Sequence, residues 1–427
     1  MNVATRQADA PRKRSQMRRL SLVVTVFIAI LAAFFLRPQP GPPIRIGVLH
    51  SLTGTMASSE APLVDAVRLA VEEINAAGGL LGRQVELQVV DGRSDWTTFA
   101  NEAERLISEE KVSALFACWT SACRKAVKPV VEKHQHLMFY PVQYEGLEQS
   151  AHIVYTGSAP NQQIIPGTRW AFDHLGKRAY LIGSDYIFPR TAHRYIRDLA
   201  AVSGGTILAE HLLPLGAPTR SAQIEEIRRL QPDVIFNTLN GDSNLHFFRA
   251  LRDAGLEKTP VLSFSIAEDG LTAMGPDAFH PSHYAAWSYF QSLPSASNRR
   301  FVTAFKARFG ADRVTSDPIE AAYVGVLLWA RAVREAGTEI PEHVNRSIVR
   351  QSVAGPSGVA AIDGATRHLW KTFRIGRALA NGQFAEVVSS EETVRPTPFP
   401  GYRGFADWQG ISVALEAKSD ADHRGQP

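Results

Sequence analysis

From Ile44 onward, apolar runs of four to seven residues alternate with segments whose apolar residues recur at helical spacing. A helix placed between successive short strands sends the chain back to the same sheet end, so the strands run parallel and both sheet faces are covered. The pattern predicts a doubly wound α/β fold. Strands are expected at Ile44–His50, Val85–Val90, Val112–Ala117 and Leu137–Tyr140, with helices over Pro62–Ala77, Trp96–Glu110 and Ala122–His134 between them. After Pro160 the rhythm restarts, with strands at Ala179–Ile182, Thr206–Leu212, Val234–Asn237 and Val261–Ser265 and helices near Thr191–Ser203, Ala222–Leu230 and Asn244–Ala254. Two similar halves in 427 residues, 45% hydrophobic and 21% charged, imply two lobes with separate cores.

The first 36 residues stand apart. Arg12, Lys13, Arg14, Arg18 and Arg19 precede Leu20–Leu36, which carries no charge, the layout of an export leader. Cleavage and retention as a membrane anchor both remain open, because the apolar run is at the short limit for spanning and lacks a clean small-x-small site. Residues 37–43 then form a Pro-rich spacer. The rest of the chain is expected in the periplasm or otherwise outside the cytoplasm. Without the leader, 40 basic residues face 41 acidic ones, which argues against nucleic acid as a partner.

Chemistry concentrates between Phe116 and Gly146. Two strand ends deliver Trp119, Thr120, Ser121, Tyr140, Pro141, Gln143, Tyr144 and Glu145 to one edge of a parallel sheet, where α/β proteins bind ligands. Flat aromatics with uncharged hydroxyls and amides suit a small, neutral, polar guest. Ser121 and the helix N-terminus behind Thr120 offer donors, and Gln143, Tyr140, Glu145 or Asp242 offer acceptors. Tyr186, Asn240, Asp242, Ser265 and Glu268 follow strands of the second half and are expected opposite. Ser51, Thr53 and Gly54 follow the first strand, lining the mouth or capping a helix. Each of these residues also has a plain structural use: Trp119 and Tyr140 as core, Ser121 as an N-cap, and Asn240 with Asp242 as a turn. No G-x-S-x-G, H-E-x-x-H, Walker or G-x-G-x-x-G string is present, and neither a metal nor a cofactor is expected.

Several stretches carry a resemblance: IGVLHSLTGT (Ile46–Thr55), CWTSACRKAV (Cys118–Val127), APNQQIIP (Ala159–Pro166), GSDYIFPRT (Gly183–Thr191), FNTLNGDSN (Phe236–Asn244), LSFSIAE (Leu262–Glu268), YAAWSYFQ (Tyr284–Gln291), RVTSDPIEAAY (Arg313–Tyr323) and HLWKTFRIG (His368–Gly376). Together with Phe139–Gly146 they resemble the urea- and short-amide-binding branch of the type I periplasmic binding proteins, which serve ABC transporters. That resemblance implies two Rossmann-like lobes joined by three hinge crossings and closing on a ligand. Lobe 1 is then expected over 44–156 and 284–352, with helices near Asn298–Phe309 and Pro318–Ala336. Lobe 2 takes 157–283 and 353–400, leaving 401–427 as an unstructured tail. It further implies a non-enzymatic receptor that passes urea or a short amide to a permease. Two readings of the same fold stay open, an amide sensor or amidase-type regulator and a branched-chain amino-acid receptor. Many relatives carry a lipid-anchored Cys after the leader, whereas Cys118 and Cys123 are the only cysteines here. The matching stretch usually has Ser at the second of these positions, and a bridge between the two is open.

Overall fold

The computed structural model describes residues 41–275 and 280–424; the expected leader and most of the spacer lie outside them. The first sheet is parallel, in the order β2-β1-β3-β4-β5, from β1 (Ile44–His50), β2 (Val85–Asp91), β3 (Leu115–Ala117), β4 (Met138–Tyr140) and β5 (Ile153–Tyr155). Its helices are α1 (Ala57–Ala76), α2 (Trp96–Ser108) and α3 (Ser121–Lys133). Ile46, Val48 and Leu49 of β1 are all buried, as expected for a strand covered on both faces. The helix expected from Pro62 begins earlier, at Ala57, and takes Pro62 inside it. Strand β5 is too short for its apolar run to stand out.

The second sheet begins with α4 (Ile164–His174), β6 (Arg178–Ser184), α5 (Ile187–Ser203), β7 (Thr206–Leu213), α6 (Ser221–Leu230), β8 (Val234–Thr238), α7 (Asp242–Asp253), β9 (Val261–Ser263), α8 (Glu268–Met274) and β10 (His283–Trp287). Because β10 pairs parallel with β9, the chain leaves this sheet after Trp287 and not near Tyr284. It returns to the first lobe through α9 (Ala296–Phe309), α10 (Asp317–Ala336), α11 (Pro341–Ile348) and the hairpin β11 (Ser352–Gly355) and β12 (Gly358–Ala361). Val353, Ala360, Ile362 and Leu369 join the apolar core of the first lobe. The last crossing therefore falls between Leu369 and β13 (Arg374–Ala378), later than the expected point near Val353. With β14 (Phe384–Ser389), β13 adds antiparallel strands at the edge, giving β14-β13-β10-β9-β8-β6-β7.

The expected tail is a helix, α12 (Phe405–Arg424). Trp408 is fully buried against Tyr195 of α5, with Ile411 and Leu415 beside it, an i, i+3, i+7 stripe that a reading of the polar residues overlooks. Lys125 of α3 reaches Glu416 at 2.6 Å, so α12 touches both lobes.

Candidate functional site

The end of β3 builds the first wall. Cys118 takes a left-handed φ of 71°, turning the chain so that Cys118 and Cys123 come together in a disulfide across a sequence separation of 5. Thr120, not Ser121, caps α3: its hydroxyl accepts the Cys123 N–H at 3.1 Å, because Thr120 is the last residue with an extended backbone. Closing a loop this short stabilises the fold by about 2 kcal/mol on chain entropy. Reducing the disulfide is expected to lower the guanidinium unfolding free energy by that amount and to weaken guest binding, since Trp119 and Thr120 lie inside the loop. Binding unchanged after confirmed reduction would show that the bridge does not order this wall.

Beneath that wall lies a charge cluster centred on Arg124, whose side chain is fully buried. Its guanidinium donates to Glu148 (2.9 Å), Glu145 (2.9 Å) and the Ser121 hydroxyl (3.0 Å), and stands over the rings of Tyr140 and Tyr144. Burial opposes its charge, yet Glu148 and Glu145 hold its pKa well above the usual value. Burial likewise works against the Glu148 anion, which Arg124, Lys125 and Lys128 nevertheless keep far below the ordinary carboxylate range. Ser121 gives its proton to Glu145 at 2.5 Å, and Tyr140 gives its own to the Trp119 carbonyl at 2.5 Å. Neither hydroxyl has a proton left for a guest; Tyr140 retains lone pairs, and Ser121, which already accepts from Arg124, retains one. Sequence reasoning assigned Ser121 as a carbonyl donor, and this bonding corrects it.

The second lobe closes against these groups. Trp119 donates its indole N–H to Asn240 Oδ1 at 3.2 Å, and Gln143 donates to the Phe264 carbonyl at 2.8 Å, leaving Gln143 Oε1 buried with no partner among the described residues. Gly241, at φ 57°, sits so near Thr55 that an added Cβ would meet the Thr55 carbonyl at 2.6 Å. Tyr186, 3% exposed, has no hydrogen-bond partner for its hydroxyl among the described residues. Burial holds its pKa well above normal, reinforced by Tyr140 and Glu145, so it stays a donor. Between the lobes, Trp119, Asp242, Ser265, Asp269 and Ser59 help to line a cavity of about 80 Å³. That is several times the roughly 10–15 Å³ that holds one water.

Other expected residues lie elsewhere. Tyr144 is no cleft wall: it stacks on Tyr155 and His368 and bonds to His368, drawn there by the aromatic cluster. Pro141 is buried, with no polar role. Ser265 rims the cavity while bonding the Leu239 carbonyl. Thr53 and Gly54 do not line it; Thr53 binds the Asp91 carboxylate at 2.7 Å and Gly54 backs onto Ser94. Ser51 is held by Glu60, a fully buried acid that also faces His50. Glu60 and Arg124 are the residues that sequence reasoning missed. Glu60 lies just before the helix expected from Pro62 and gives no local signal; Arg124 is visible only as one base in a run of bases.

Glu268 also departs from expectation, turning to the Gln291 N–H at 2.7 Å, while its neighbour Asp269 lines the cavity. Burial pushes the Glu268 carboxyl up to about 8, aided by Asp269 and Asp317 and opposed by the Gln291 N–H. A pKa raised on folding from 4.5 gives a stability contribution that is complete below about 4.5 and is lost as pH rises through about 8. Glu268→Gln should therefore flatten the decline in guanidinium midpoint between about pH 5 and about pH 8. Equal declines in parent and variant would remove Glu268 as the cause.

Residues 44–404 match the family described as "Periplasmic binding protein domain". Over 318 residues the chain is 24% identical to Leu/Ile/Val-binding protein homolog 8 of Brucella abortus (strain 2308), covering 68% of this chain and 74% of that protein. A 116-residue stretch is 34% identical to limonene hydroxylase of Geobacillus stearothermophilus, where the chain spans only 21% of that protein. Among solved structures, an ABC transporter solute-binding protein from Rhodopseudomonas palustris BisB5, in complex with 3,4-dihydroxybenzoic acid, superposes with a TM-score of 0.73 at 21% identity. The likeness covers 83% of this chain and 99% of that one, and at this identity it speaks for the fold.

Proposed function

Because this chain belongs to the periplasmic binding protein family, we propose that it is a receptor for urea or a short-chain amide, captured between its lobes and delivered to an ABC permease. The chain is a solute-binding protein and not an enzyme: the family match runs over 44–404, whereas the hydroxylase likeness is confined to 116 residues. One observation carries the choice of guest. The protons of Ser121 and Tyr140 are already committed to Glu145 and the Trp119 carbonyl, so these two groups, with Gln143 Oε1, offer acceptors, and the Tyr186 hydroxyl is a spare side-chain donor. Urea, with four N–H bonds and a single oxygen, matches that imbalance. A carboxylate guest reverses it, needing several donors in a site where Arg124, Lys125 and Lys128 are already engaged by Glu145 and Glu148. This weighs against an aromatic acid and against the carboxylate end of a branched-chain amino acid.

Co-crystallisation with urea tests the assignment. Urea is expected with its oxygen toward Tyr186 Oη and its nitrogens toward Gln143 Oε1 and the Ser121 or Tyr140 oxygens. Urea lodged only in the outer cavity beside Asp242, away from these groups, would overturn it.

A further inference from the structure

A second cavity, of about 250 Å³, lies where the last two lobe crossings run, lined by Ser288, Glu320, Ser357, Val359, Trp370 and Lys371 among others. Lys371 stands on the final crossing and Ser288 directly follows β10, so this cavity is separate from the one at Trp119. The side chain of Lys371 is 5% exposed, yet its ammonium makes no hydrogen bond. The nearest carboxylate oxygen, Asp317 Oδ1, is 3.6 Å away, beyond bonding distance, and is itself without a donor; Asp317 Oδ2 accepts the Ser288 N–H at 3.0 Å. Glu320 accepts from the Ser357 hydroxyl at 2.7 Å. A buried ammonium with unused donors is costly unless an acceptor meets it.

Charge restricts what that acceptor belongs to. A cation in the cavity meets the Lys371 ammonium, and an anion meets the Glu320 carboxylate, with the Asp317 carboxylate near Lys371 adding to the repulsion. A molecule with both polarities and no net charge satisfies each side, while Val359, Ala360 and Leu369 supply an apolar wall. We propose that this cavity is a second solute site, for a small uncharged molecule that presents a carbonyl oxygen to Lys371 and an N–H to Glu320. The site stands on its own groups and does not depend on the guest assigned to the cleft.

Fluorine NMR of the full chain labelled with 5-fluorotryptophan reads the two sites separately. Trp370 lines this cavity and Trp119 the interlobe one, each signal being assigned from its Trp→Phe variant. Titration with acetamide is expected to move the Trp370 signal saturably, whereas acetate and methylammonium leave it in place. Lys371→Met should weaken the acetamide response by roughly tenfold or more, the loss of one charge-assisted hydrogen bond. Val359→Phe alters a rim residue that is 67% exposed and should block the response by filling the space, which decides the matter if Lys371→Met does not fold. A Trp370 signal indifferent to acetamide, one that answers to acetate or methylammonium instead, or one unchanged by a folded variant would overturn the site. A Trp119 response without a Trp370 response rejects it while leaving the cleft reading intact.

Discussion

Replacing Arg124 with methionine is expected to cost about 3–5 kcal/mol of folding stability, the usual result of stripping one partner from a buried ion cluster. Glu145 and Glu148 would remain buried with no guanidinium between them, and the Ser121 hydroxyl would lose a donor. The loss is larger than for a surface pair because water cannot reach either carboxylate in the folded state. Unfolding should be followed in guanidinium chloride, since urea is the proposed guest. Arg124→Lys should recover only part of the loss, because an ammonium cannot hold two carboxylates and a hydroxyl in one planar fork. A cost under about 1 kcal/mol for Arg124→Met, the range of an exposed pair, would mean that the cluster does not organise this lobe.

Tyr186→Phe is expected to separate binding from stability. Its hydroxyl bonds to nothing among the described residues, so removing it should leave the unfolding midpoint close to that of the parent. In a closed site, however, the guest's oxygen would lose its donor, at roughly 1–3 kcal/mol, or about 5- to 150-fold in affinity. Calorimetric titration of urea into parent and variant, with thermal unfolding of both, measures the two effects. Matched losses of stability and affinity would assign Tyr186 to packing and remove it from the site.

The alternation of strands and helices made the doubly wound architecture legible, because a strand buried on both faces shows itself as an unbroken apolar run. What escaped, besides the helix Ile164–His174, were mostly short or edge elements. Strand β5 contributes only Ile153–Tyr155, β13 and β14 belong to the last return of the chain, and α12 hides one apolar stripe among polar residues. Within the site, Trp119, Asn240 and Gln143 were recognisable as strand-end residues, and they do bridge the lobes. Their bonding was not legible. That the Ser121 proton goes to Glu145 rather than to a guest, or that Glu268 turns to Gln291, depends on neighbours more than twenty residues away in sequence. The Cys118–Cys123 pairing was likewise open until the left-handed turn at Cys118 brought the two together.

The central claim is that the side chains of the cleft offer several acceptors and, at Tyr186, a spare donor, and titration calorimetry with urea, leucine and 3,4-dihydroxybenzoate tests it most directly. Urea has about four heavy atoms, so at roughly −1.5 kcal/mol per atom its dissociation constant should lie on the order of tens of micromolar. Leucine and the aromatic acid should give no saturable heat. Saturable heat with either of them, and none with urea, would contradict the donor and acceptor assignment at Ser121, Tyr140, Gln143 and Tyr186.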